Sequence, residues 1–165
     1  MKPKVLILMG SDSDLPVLEE TSRMLDDFAV PYRMTVASAH RTPARTLKLI
    51  KDAEKNGVEV IIGAAGMAAH LPGVIASHTI LPVIGIPLDA SPLKGMDALL
   101  SIVQMPPGIP VATVSIGKAG AKNAAILAVQ MLALKDPDLA GKLRDHRKKM
   151  AREVEEKAGR IAKKK

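Results

Sequence analysis

Cysteine and tryptophan are both missing from this 165-residue chain, and Phe28 and Tyr32 are its only aromatic side chains. Without cysteine there is no disulfide, no thiolate nucleophile and no cysteine-ligated zinc, a composition at home in a reducing compartment. Without an aromatic cluster there is no platform on which the bases of a single strand could stack. Long apolar runs are absent as well. The stretch Val5–Met9 is continuous and apolar, but it is too short to cross a bilayer or form a secretory core, and it runs into Gly10-Ser11-Asp12. A soluble, cytoplasmic protein with no membrane partner is expected. The four histidines show no zinc-like spacing, so no zinc site is expected either.

What remains is aliphatic. Hydrophobic residues make up 47% of the chain, so its core must be Val, Ile, Leu, Met and Ala, which suits close packing of helices on a sheet. The length fits one domain. The net charge of +7 is unevenly placed: residues 1–134 hold 12 Lys/Arg against 11 Asp/Glu, and residues 135–165 hold 12 against 6. A basic tail of this kind reads as a solvated helix face, and nucleic acid is not expected as a partner. The expected organisation is a catalytic α/β domain over 1–134 and a basic helical tail over 135–165 that is not a separate domain.

Periodicity supplies the elements. Val5–Met9 reads as a central parallel strand. Leu15, Leu18, Thr21, Ser22, Leu25 and Phe28 recur at helical spacing behind the capping residues Ser13 and Asp14, with Pro16 in the first turn. Residues 32–37 alternate as a second strand. Leu47, Leu49, Ile50 and Ala53 carry a helix that starts at Thr42-Pro43 and stops at Asn56-Gly57. Strands are expected over 58–62, over 82–86 (closed by Pro87) and over 111–116, with helices over 74–77, 93–103 and 117–134. Residues 104–110 carry three prolines and form a shaped loop. A charged helix with a thin apolar stripe follows over 139–161. The fold class is therefore α/β, a three-layer doubly wound (flavodoxin-like) five-stranded parallel sheet with an extra C-terminal helix. Ligands of such sheets sit beyond the carboxyl ends of the strands, and the loops 11–14, 38–41 and 64–70 all fall on that edge.

The stretch Ser38-Ala39-His40-Arg41-Thr42-Pro43 concentrates the chemistry. It offers a hydroxyl, an imidazole and a guanidinium fork beside a helix N-terminus, whose free amides favour an anion. His40 is the candidate acid–base catalyst, because imidazole gives and takes a proton near neutral pH. Ser11, Asp12, Ser13 and Asp14 suit either Mg²⁺ or a sugar phosphate, and the sugar phosphate is preferred, with Asp14 facing the site and Asp12 in solvent. His70 lies among Ala and Leu and by residue type reads as a core histidine. Gly117-Lys118-Ala119-Gly120 lacks the order of a P-loop and reads as a helix start.

Met9 to Asp14, Ser38 to Pro43, Ala68-Ala69-His70-Leu71-Pro72-Gly73 and Ser101 to Pro106 together resemble the bacterial N5-carboxyaminoimidazole ribonucleotide mutases, the class I PurE family of purine synthesis. The resemblance covers residues 4–134. It implies a transfer of carboxylate from N5 to C4 that needs no cofactor and no metal, giving 4-carboxy-5-aminoimidazole ribonucleotide, with His40 shuttling the proton while CO2 stays in the pocket. It also implies that Ser11, Ser13, Ser38 and Arg41 hold phosphate and Asp14 the ribose. The loop that includes Ala64, Gly66 and His70 would enclose the base and the migrating carboxyl group. On that ground alone His70 becomes a site residue. The family's loop usually carries Gly where this chain has Ala64 and Met67. A homo-octamer with the small ribonucleotide as its ligand is implied, the 117–134 helix and 104–110 loop serving as contacts. The alternatives are a direct aminoimidazole ribonucleotide carboxylase using CO2, and a non-catalytic nucleotide- or RNA-binding module.

Overall fold

The apolar run Val5–Met9 forms strand β1, with all five residues buried. In the computed structural model, which describes residues 2–163, β1 lies between two parallel neighbours. These are β2 (Tyr32–Val36) and β3 (Val60–Gly66), with Met9 opposite Val36 on one side and Ala64 on the other. A strand in that position has no solvent face, which is why its sequence does not alternate. Strands β4 (Val83–Leu88) and β5 (Ala112–Thr113) extend the sheet to the order β2-β1-β3-β4-β5.

The helices are α1 (Leu15–Asp27), α2 (Pro43–Lys55), α3 (Leu71–Ala76), α4 (Met96–Val103), α5 (Gly117–Ala133) and α6 (Pro137–Ala162). One face of the sheet presents Leu6, Leu8 and Ile61 to Leu49 and Ile50 of α2, Ile75 of α3 and Ile102 of α4. Strand alternation turns Val5, Ile7, Ile62 and Ala64 to the opposite face. Successive right-handed crossovers that move outward to β2 and back to β3 place α1 and α2 on opposite faces. On the α1 side, the Thr21 hydroxyl donates to the Ala121 carbonyl at 2.9 Å, and Ala121, Ala124, Ala125 and Ala128 are fully buried. The small residues of α5 thus serve close helix approach. Gly120 is part of the same economy, since a Cβ there would lie 1.6 Å from the Ser115 carbonyl oxygen; it is a packing glycine, not a phosphate cradle.

Three strand boundaries differ from expectation. β3 runs on through Gly66, well past residue 62. β4 continues through Pro87, which pairs in register with Ala65. The β5 ladder reaches only Ile84 and Gly85, so beyond Gly85 the outer side of β4 has no strand to which a proline's missing N–H would matter. β5 itself has two residues, not six, because the half-buried apolar residues 111–114 report packing more than pairing.

Two compact units are distinguished, Met1–Ala128 and Val129–Lys165. The first holds the sheet. The second contains α6, whose N-cap Asp136 accepts from the backbone N–H groups of Asp138 and Leu139 at 3.0 and 3.1 Å, and which has no buried residue. No helix among the described residues is long and apolar enough to cross a membrane.

Candidate active site

The order in which strands are added reverses at β1, outward to β2 and then back to the parallel β3 on its other side, and the cleft opens at the carboxyl ends of β1 and β3, as expected for a switch in strand order. Its volume is about 510 Å³, and its walls come from three loops together with Ala90 after β4. The β1 loop is a 3₁₀ turn, Asp12–Asp14, capped reciprocally: the Ser11 hydroxyl accepts from the Ser13 N–H, and the Asp14 carboxylate accepts from the Ser11 N–H at 3.0 Å. This holds the Ser11 and Ser13 hydroxyls 2.9 Å apart at the cleft wall. Burial pushes the Asp14 carboxyl above its ordinary range, against the lowering pull of the Ser11 and Gly10 amides, the Ser13 hydroxyl and Arg41.

The β2 loop is tied down from below. Thr42 makes no cap bond to α2; its hydroxyl accepts from the Ser38 N–H at 3.0 Å and donates to the Ser38 carbonyl at 3.1 Å. Ser38, nearly buried, accepts from the Arg41 N–H and Nε at 3.1 and 3.4 Å. The Arg41 guanidinium also donates to the Gly10 carbonyl at 2.8 Å, clamping the β1 and β2 loops together.

From the third loop comes His70. Its Nδ1 lies 2.7 Å from His40 Nε2, with the rings edge to face at 4.9 Å between centroids. Thirty residues separate the pair in sequence, and both are exposed. The imidazoles stand among methyl groups of Ala39, Ala65, Ala68 and Ala90. His70 is therefore a cleft residue, contrary to what its apolar sequence neighbours indicate, because β3 ends and α3 begins around it.

Ser11, Ser13, Asp14, Ser38, His40, Arg41, Gly66 and His70 are all brought to the cleft. Ala64 is not: it is fully buried and shares the face of Val60 and Ile62, while Ala65 reaches the cleft wall. Sequence reasoning missed Thr42 as the brace of Ser38, and Ala65 and Ala90 as walls. A period-two count carried through β3 identifies Ala65; nothing local identifies Ala90. Among the described residues no group of three or more His, Asp or Glu side chains is placed to hold a metal ion.

The family pattern described as AIR carboxylase matches residues 4–153. The chain belongs to the AIR carboxylase family. Within it, the N5-carboxyaminoimidazole ribonucleotide mutase of Pyrococcus horikoshii is 59% identical over 160 residues, covering 97% of this chain and 89% of that one. The phosphoribosylaminoimidazole carboxylase of Candida glabrata is 49% identical over 97% of this chain, a match confined to 28% of that longer protein. The crystal structure of Treponema denticola PurE superposes with a TM-score of 0.87 at 29% identity, covering 96% of this chain and 98% of that one.

Proposed function

We propose that this chain is the mutase that converts N5-carboxyaminoimidazole ribonucleotide to 4-carboxy-5-aminoimidazole ribonucleotide in purine synthesis. The observation that carries the mechanism is the His40–His70 pair, 2.7 Å apart in a cleft that is also lined by Ser11, Ser13, Ser38 and Arg41. Breaking the N5 carbamate C–N bond leaves a lone pair on nitrogen that takes a proton and releases CO2. Forming the C–C bond at C4 then displaces a proton from that carbon. One imidazole that gives the first proton and takes the second returns to its starting state, so no cofactor enters the balance. His40 performs this exchange and His70 orients it. Ser11, Ser13, Ser38 and Arg41 hold the phosphate, and Asp14 accepts from the ribose hydroxyls.

The reading is tested by an absorbance assay with N5-carboxyaminoimidazole ribonucleotide and, separately, with aminoimidazole ribonucleotide plus bicarbonate. Turnover of the first alone is expected. Turnover of the second alone would assign the direct carboxylase activity, a second reading favoured by the carboxylase name of the Candida glabrata relative. The catalytic unit is taken as the α/β domain, with the basic helix an accessory, in a cytoplasmic homo-octamer. Exposed apolar side chains at Met96, Leu100 and Val103 on α4, and at Leu93 in the turn before it, support assembly.

A further inference from the structure

Ala37 donates its N–H to the Met9 carbonyl at 2.8 Å, but Ser38, the next residue, has no bond to a strand among the described residues. Thr42 takes the strand's place. Its hydroxyl accepts the Ser38 N–H at 3.0 Å and donates to the Ser38 carbonyl at 3.1 Å, and the buried Thr46 hydroxyl lies 3.3 Å from that same carbonyl. Both backbone groups of Ser38 are thereby held. Its side chain follows from counting: a serine oxygen has two lone pairs and one proton, and here Arg41 donates to that oxygen twice, from its N–H at 3.1 Å and its Nε at 3.4 Å. The proton is left over. Ser38 is only 9% exposed, no acceptor among the described residues receives its O–H, and it lines the cleft, so the direction left to that proton is into the cleft.

We infer that Thr42 is a positioning residue for anion binding, which fixes Ser38 so that its hydroxyl acts toward the cleft only as a donor. A fixed donor selects its ligand. It suits an acceptor that needs no proton taken from it, such as a phosphate dianion, and offers nothing to a group that can only donate. The threonine serves this loop and not its own helix, since its side chain makes no cap bond to the first turn of α2. The inference rests on the phosphate placement made in the mutase reading, and on no step of the carboxyl transfer.

The test is the binding of ribose 5-phosphate to the full chain by calorimetry, with turnover of N5-carboxyaminoimidazole ribonucleotide measured on the same samples. Thr42→Val removes the hydroxyl at nearly constant volume, Thr42→Ala removes it together with bulk, and Thr42→Ser keeps it; if one removal fails to fold, the other is measured. Loss of the hydroxyl is expected to weaken ribose 5-phosphate about tenfold, with Thr42→Ser within about twofold of the parent. In a Ser38→Ala background the same removal is expected to have no further effect, because the group it orients is gone, whereas a merely structural threonine would lower affinity equally in both backgrounds. Unchanged affinity on removing the hydroxyl, or an equal loss in the Ser38→Ala background, overturns the inference. A parent that binds ribose 5-phosphate without turning over the ribonucleotide overturns the mutase reading and leaves the role of Thr42 standing; a parent that does not bind it overturns the phosphate placement and this inference with it.

Discussion

At the scale of single residues, the cleft separates groups that do chemistry from groups that hold position. His40→Asn keeps a hydrogen-bonding side chain but cannot exchange a proton, so kcat should fall by about 10²–10⁴-fold with substrate still bound. Near-normal turnover in that variant would sink the shuttle. Arg41→Ala removes the guanidinium from both Ser38 and the expected phosphate; KM should rise by about tenfold or more, read from initial rates. Asp14 gives a pH test. Burial raises its folded-state pKa above that of an unfolded aspartate, so at a pH below both values folded and unfolded chains alike hold the proton and the group costs nothing. As pH rises through the folded value, the native state must carry a buried charge that the unfolded chain carries in water, and stability is lost. Asp14→Asn still accepts the Ser11 N–H without that charge. Its stability relative to the parent, from denaturant titrations, should therefore improve as pH rises above the unfolded aspartate's pKa of about 3.9, while ribonucleotide binding weakens. Much of this was legible locally, since Ser11 to Asp14 announce a cap and Ser38 to Pro43 a helix start. The bonds of Thr42 back to Ser38 were not, because they depend on how sharply that loop turns.

Elements decide how those residues meet. Gly66 ends β3 where the segment following β4 comes down on it, and a Cβ at Gly66 would lie 2.9 Å from that of Ala90. The requirement for glycine here is space for a second wall, not backbone freedom. Gly66→Ala should force the 89–95 segment outward at a cost of about 1–3 kcal/mol, lowering both the melting temperature and kcat/KM. Adding Ala90→Gly should recover most of both. A double variant no better than the single would place the damage in the backbone instead. The helix and strand periods of this chain were readable because each element satisfies its own pattern. Pro87 was misread as a stop, since whether a proline is tolerated depends on what pairs beside it, and β5 is too short to reach it.

For the whole molecule, the proposed octamer makes a separate demand. Leu93, Met96, Leu100 and Val103 are 48–65% exposed, and a charge placed among them should cost assembly without touching the core. Leu100→Glu is expected to give a smaller species by light scattering with its helical signal retained; an unchanged mass would remove this patch from the interface. The aliphatic composition, the alternation of strands with helices and the three polar loops on one sheet edge followed from the sequence alone, because short-range periodicity and capping are set within a few residues. Tertiary structure alone decided that His40 and His70 meet at 2.7 Å, that Ala65 and not Ala64 reaches the cleft, and that Ala90 closes its wall. Those outcomes depend on the register of β3 against β1 and on crossovers that bring distant strand ends together, and neither is encoded in any one stretch of the chain.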